Sequence, residues 1–210
     1  MAPAATAKRV EKQKTSRREL IADAVIGLIG EKGVREVTHR KIDQFLGLRE
    51  GSTSPYFPKV FDLLNAGLVR LSERDAEALR NVHDLIMAKS QQAPLDPAVV
   101  AEMLHDIWRE ASRPEHRYLL VAWFEFVLLA DRQPEFKESN TRYFDDLMAV
   151  DTLLFEKMGA RNPAAAAWEY GVFRRGLWFT LLIAPPGAGL APTPAYFEEQ
   201  LRRIIAETGG

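Results

Sequence analysis

The chain has 210 residues, no cysteine and a formal net charge of −1. That length is ample for one or two domains with a real core, and the lack of cysteine excludes disulfides and thiolate metal sites. Apolar residues make up 47% and charged residues 27%, the balance of a globular protein rather than of a disordered or membrane-embedded one.

The charge is uneven. Residues 1–70 carry 13 Lys and Arg against 8 Asp and Glu, a surplus of +5, while residues 71–210 carry −6. A basic head on an acidic body directs the head at a polyanion, or else is only solvated surface charge. The N-terminus lacks the apolar stretch of a signal peptide. The longest apolar run, residues 118–130, has Glu125 inside it. It is too short to cross a bilayer and reads as a buried helix. The expectation is a cytoplasmic protein with no membrane partner.

The alternation of a strand is missing throughout, and nearly every segment reads as helix. Residues 1–15, with Lys8, Arg9, Lys12 and Lys14, read as a disordered basic tail. Ser16 and Glu19 have the spacing of a capping box and predict the start of the first helix. Leu20, Ile21, Ala24, Val25, Leu28 and Ile29 form its apolar face, and Gly33 is its natural stop. A second helix starts at Thr38 as N-cap, buries Ile42, Phe45 and Leu46, and ends at Gly47. A third short segment spans residues 50–57. A long helix runs from about Phe61 towards Ala88.

Pro94 and Pro97 mark the next break. Further helices are predicted at about 97–111, 114–131, 135–158, 163–184 and 194–207, with Pro114, Pro134, Pro163 and Pro194 near their starts, where a missing N–H costs little. Residues 185–189, Pro-Pro-Gly-Ala-Gly, read as a clear break. The fold class is all-α. It comprises an N-terminal three-helix helix-turn-helix domain over 16–60 and a larger helical body over 61–210.

Two short helices joined by a tight glycine turn make a helix-turn-helix. Its second helix enters the major groove, where base edges carry a distinguishable code. Gly51, Ser52, Thr53 and Ser54 are small and polar, which lets the backbone come close to DNA.

The run Val37-Thr38-His39-Arg40-Lys41-Ile42, then Phe45-Leu46-Gly47-Leu48, then Gly51-Ser52-Thr53-Ser54-Pro55-Tyr56-Phe57-Pro58 resembles the DNA-binding signature of the TetR family of repressors. The resemblance covers roughly residues 16–70 and includes the Glu31-Lys32-Gly33 helix ending. It implies that Thr38 bonds a phosphate and that Arg40 reaches a guanine edge or a phosphate. It implies that Ser52 and Thr53 face bases or backbone and that Tyr56 donates its hydroxyl to a phosphate. Arg49 and Glu50 sit where the family varies its base readers. Lys41, Gly51, Ser54 and Lys59 complete the DNA candidates. The competing readings are an N-cap for Thr38, solvated surface for Arg40 and Lys41, and core for Tyr56 and Phe57.

Three departures from the family pattern bear on the target sequence. Arg49 replaces a small capping residue. Val60 stands at the family's lysine position, with Lys59 before it. Pro55 falls inside the expected recognition helix and removes the hydrogen bond to the Gly51 carbonyl. A recognition helix that is short, kinked or tightened after Ser54 is expected.

The same resemblance implies that bulky residues of the later helices line a mostly apolar pocket for a hydrophobic or aromatic effector. The candidates are Trp108, Trp123, Glu125, Phe126, Phe144, Met148 and Trp178, against ordinary core packing for each. Glu125 either reads a ligand polar group or pairs with an arginine such as Arg174 or Arg175. Trp168, Val172, Leu177, Leu181, Phe197, Leu201 and Ile204 form apolar faces suited to a homodimer. A two-fold dimer sets two recognition helices on a near-palindromic operator.

No cofactor, metal or catalytic residue is expected. Glu102 and His105 match half of a di-iron motif with no second copy, and His39, His83, His105 and His116 lack helical zinc spacing. The rival readings are a helical small-molecule-binding protein that never meets DNA, and a helical-bundle enzyme.

Overall fold

The computed structural model describes residues 3–91, 93–184 and 191–209, with side chains from residue 16 onward. The expected break at residues 185–189 and the basic side chains of residues 8–14 lie outside the described portion. Eight α-helices and no strand occur among the described residues.

Helix α1 spans Pro3–Lys32 and passes through the expected start at Ser16. Residues 4–26 contain no glycine or proline and are rich in Ala, Lys, Arg and Glu. Nothing in that composition halts a helix at Ser16, so the expected cap and tail boundary there are replaced by continuous helix. The stop at Gly33 is as expected. Gly33 takes φ +90°, and its amide donates to the Ile29 carbonyl at 2.8 Å.

Helix α2, His39–Phe45, is capped by Thr38, whose Oγ1 accepts from the Lys41 amide at 3.2 Å. Gly47, at φ +63°, turns the chain away from it. Helix α3, Val60–Lys89, begins with the Asp62 carboxylate accepting from the Lys59 amide at 3.0 Å, one half of a capping box.

The remaining helices are α4 (Pro97–Ala111), α5 (Arg117–Arg132), α6 (Lys137–Lys157), α7 (Pro163–Ile183) and α8 (Pro194–Glu207). Prolines open α4, α7 and α8 directly, and Asp96, Asn162 and Thr193 cap them. Pro114 and Pro134 instead open single 3-10 turns just before α5 and α6.

Packing divides the chain elsewhere than at the expected 60/61 boundary. One unit is Met1–Arg74 with Tyr118–Asn140, and the other is Asp75–Arg117 with Thr141–Gly210. Helix α5, expected at the centre of the body, therefore joins the head. Ala122 and Phe126 of α5 share a core with Ile21, Val25, Ile29, Ile42, Phe57 and Leu63. A Cβ at Gly30 of α1 would lie 2.2 Å from the Tyr118 carbonyl oxygen, so only glycine permits α1 to approach α5 this closely. Phe45, expected in that core, is 42% exposed.

In the second unit α8 packs against α4 and α7. Leu104, Trp108, Leu154, Phe155, Tyr170 and Leu201 belong to its core. Trp108 and Trp178 stack there with ring centroids 4.5 Å apart.

Candidate nucleic-acid interface

The segment between α2 and α3 was expected to hold a short or distorted helix. It holds none. It is built from two successive single turns. The Ser52 amide donates to the Arg49 carbonyl at 3.1 Å, and the Tyr56 and Phe57 amides both donate to the Thr53 carbonyl, at 3.0 and 3.2 Å. Two residues explain the loss. Gly51 takes φ +87°, outside the right-handed helical region, and Pro55 has no N–H to donate. The Gly51 carbonyl that Pro55 leaves free accepts instead from the Ser54 hydroxyl at 3.3 Å.

Two side chains of α2 hold this segment. Asp43 is 1% exposed. Its carboxylate accepts from the Gly51 amide at 2.8 Å and from the Thr53 hydroxyl at 2.5 Å. His39 donates from Nε2 to the Phe57 carbonyl at 2.6 Å, and the bond requires the proton on that nitrogen because a carbonyl only accepts. The Phe57 ring is buried, and the Arg18 guanidinium lies 4.5 Å from its centroid. Asp43 was not singled out in the sequence, and His39 was weighed there only as a zinc ligand. Their spacing was the available signal: four residues apart, they share one side of α2.

The expected DNA contacts sort into three groups. Thr38, Arg40, Arg49, Gly51, Ser54 and Lys59 are exposed, as is Glu50 between them. Lys41, Ser52 and Tyr56 are half-buried. Lys41 is ion-paired with Glu36, Ser52 donates its hydroxyl to the Arg49 carbonyl at 2.6 Å, and Tyr56 packs on the head core. Thr53 is fully buried. The expectation that it faces the bases or backbone of a duplex is thereby corrected: its hydroxyl is spent on Asp43, inside the protein.

The candidate pocket residues fall in two separate units. Trp123, Glu125 and Phe126 belong to the head unit, where Phe126 is core and Trp123 packs on it. Glu125 borders a cleft of about 300 Å³ with Lys32, Arg35, Leu128 and Arg132. Trp108, Phe144, Met148 and Trp178 belong to the other unit. There Phe144 meets Trp168 edge-on and lies under Arg175.

Arg174, offered as a partner for Glu125, is paired with Asp151 of α6 at 2.8 Å. Both are deeply placed. Asp151 Oδ2 and Arg174 Nη2 are buried without a hydrogen-bond partner. Burial pushes the Asp151 carboxyl up from the ordinary carboxylate range although Arg174 and Arg175 pull it down. Burial also opposes the charge on Arg174, but the Asp151 carboxylate, Tyr170 and Tyr143 together outweigh it and raise the guanidinium. The Tyr170 hydroxyl, beneath the same arginine, is pushed up by burial to about 12.

The dimer candidates also divide. Trp168 and Val172 of α7 are exposed, at 52% and 51%. Leu177 and Leu181 are half-buried against the core. Phe197, Leu201 and Ile204 of α8 are fully inside the protomer, so the expectation that they meet a partner chain is corrected. Their apolar face is consumed by packing on α4 and α7. Phe179 and Ile183 extend the exposed stripe of α7 instead.

The chain matches the family profile for the tetracyclin repressor-like C-terminal domain over residues 95–207. No curated protein matches it. Solved structures resemble it along most of its length. A protein of Saccharomonospora viridis, described as a transcriptional regulator in complex with choline, has 16% identity and a TM-score of 0.67, covering 91% of this chain and 96% of that one. A protein described as a transcriptional regulator of Streptomyces coelicolor has 27% identity and a TM-score of 0.59, over 92% of this chain and 99% of that one. The multidrug-binding protein EbrR, complexed with malachite green, has 23% identity and a TM-score of 0.62, over 90% and 98%.

Proposed function

The chain belongs to the tetracyclin repressor-like family of ligand-responsive transcriptional regulators, and we propose that it is a repressor that binds a near-palindromic duplex as a dimer and releases it when a small hydrophobic or aromatic molecule occupies its body. The observation that carries the DNA reading is the exposed polar segment Arg49, Glu50, Gly51 and Ser54, flanked by the exposed cations Arg40 and Lys59. Cations at the rim meet phosphates and fix register, while short polar groups reach base edges. Thr38 and Tyr56 serve phosphates. Glu50 is tolerated beside the backbone by accepting from a cytosine amino group. Residues 16–60 carry the reading surface of the first unit, and the effector is sensed and the dimer formed within residues 61–210, part of which belongs to that first unit.

The exposed α7 stripe supports the dimer. Trp168, Val172, Phe179 and Ile183 recur at helical spacing on one face, and Ile183 is 65% exposed. Gly176 lies in the same helix, with nothing within 4 Å of where its Cβ would be, so a partner helix can approach closely there. Paired two-fold, two readers fall on half-sites ~34–36 Å apart or a multiple of that.

Choline and malachite green in the neighbouring structures are small organic molecules, which supports an effector of that size here. Helix α3 is one covalent path between the units, because its first half belongs to one and its second half to the other; the chain crosses again at 117/118 and at 140/141. An effector that favours one arrangement of the body shifts the population of reader spacings through it. Among the described residues no group of His, Asp or Glu is placed to hold a metal, and no helix is long and apolar enough to cross a membrane. A non-enzymatic, cytoplasmic regulator is the reading we adopt.

Selection of bound duplexes from random DNA, in the presence of competitor DNA, tests the proposal. Enrichment of a two-fold symmetric site, weakened by one member of a metabolite and dye panel, is expected. A protein that enriches nothing would end the DNA reading.

A further inference from the structure

We propose that Asp43 and His39 are positioning residues for base reading: from α2 they fix the shape of a recognition loop that has no helix of its own. The proposal rests on the DNA reading above and concerns how the reading surface is held. A recognition helix normally supports itself through its own backbone ladder. Here Gly51 at φ +87° and Pro55 break that ladder, and three backbone hydrogen bonds remain within residues 49–57.

What replaces the ladder comes from outside the segment. Asp43 engages the start of the loop through both carboxylate oxygens, Oδ2 to the Gly51 amide and Oδ1 to the Thr53 hydroxyl. His39, one turn earlier on α2, engages its end at the Phe57 carbonyl. The exposed residues Arg49, Glu50 and Ser54 and the half-buried Ser52 lie before or between these anchor points in sequence. Their directions are set by the anchors, since a loop of this length without regular structure otherwise samples many conformations. Asp43 and Thr53 are buried, so neither side chain is presented to a duplex. They act on sequence preference through Gly51 and the turn it closes.

Charge supports the assignment. A carboxylate facing a duplex is repelled by phosphate, whereas one buried behind the loop and accepting from an amide and a hydroxyl is shielded by the residues it holds. A hydrogen bond to a charged group is among the stronger kind, and leaving a buried partner unsatisfied is costly.

The test uses the full chain and the duplex found by selection, with an unrelated duplex as control. D43A and T53V are each expected to lower affinity for the selected duplex about tenfold or more, while affinity for the unrelated duplex, an electrostatic quantity, changes little. T53S, which keeps the hydroxyl, retains the native preference. The double variant D43A/T53V is no worse than D43A alone, because the contact that T53V breaks is already lost in D43A. Hydrogen exchange at the Gly51 amide accelerates in D43A. Where D43A does not fold, T53V against T53S decides. Folded D43A and T53V proteins with the native preference and affinity overturn the proposal. So does a parallel fall in both affinities that follows lost melting temperature, since that marks a purely structural contact. A native protein with no preference among duplexes is a different failure: it removes the DNA reading itself, whatever the Gly51 amide shows.

Discussion

The two units each bury an aspartate, and they use it in opposite ways. Asp43, in the head, is satisfied by neutral donors on both oxygens. Asp151, in the body, faces a cation at 2.8 Å and still leaves one oxygen, and one nitrogen of Arg174, without a partner. In the head a carboxylate gives shape to a loop that cannot shape itself. In the body a charge pair sits in a core already shaped by Phe155, Leu154 and Tyr170. The difference is one of consequence. A well-satisfied carboxylate determines local geometry, whereas a buried ion pair adds little net stability while intact but is severely destabilising when halved.

The sharpest way to break this comparison is to halve the body pair. Asp151→Ala leaves Arg174 charged and only 19% exposed along its side chain, and it is expected to destabilise the chain by about 3–5 kcal/mol in urea denaturation. Replacing both partners with apolar residues of similar volume, Asp151→Leu with Arg174→Met, is expected to recover most of that. A single variant that unfolds like the native chain would show that water reaches the pair.

The next effect separates protomer core from partner surface. Leu201 is 1% exposed, and Leu201→Ala is expected to cost the protomer about 2–5 kcal/mol. Ile183→Asp, on the open face of α7, leaves protomer unfolding within about 0.5 kcal/mol of native but raises the dimer dissociation constant in sedimentation equilibrium. The reverse pattern would return the dimer face to α8.

These residues also show what the sequence could reveal. Helical periodicity identified the apolar faces of α7 and α8, and prolines located the starts of α4, α7 and α8. Periodicity does not say whether an apolar face meets its own chain or another. Leu201 and Trp168 therefore looked alike, though one is buried and the other open. The same ambiguity hid the packing of α5 with the head: an apolar helix announces burial but not its neighbours. In the reader, Gly51 and Pro55 signalled a broken helix, because their backbone limits are local. The inward turn of Thr53 depends on Asp43, ten residues away, and no local rule supplies that pairing. Ser16 misled because a capping signature is overridden wherever the preceding residues also favour helix.

A smaller effect sharpens the account of the exposed head. Arg49→Ala removes one exposed cation while leaving both anchors in place. If it contacts a phosphate, the slope of log affinity against log salt falls by about 1 for every duplex alike. If it reads a base, the slope holds and preference at one position relaxes instead. An unchanged slope together with an unchanged preference would place Arg49 off the DNA.

The smallest effect is the pH dependence carried by Asp151. Burial raises its carboxyl above the ordinary value of 3.8, against the pull of Arg174 and Arg175. The folded chain therefore holds this proton at pH values where the unfolded chain has already released it. The associated stability is fully present below 3.8 and is lost as pH rises through the raised folded value. The unfolding free energy of the native chain relative to Asp151→Asn should accordingly fall on raising pH from below 3.8 and then level off. Subtracting the variant removes the titration of every other carboxylate. A relative stability that instead grows with pH would mean that the attraction of Arg174 exceeds the cost of burying the charge, and the body's aspartate would then resemble the head's in being held by its partners rather than strained by its surroundings.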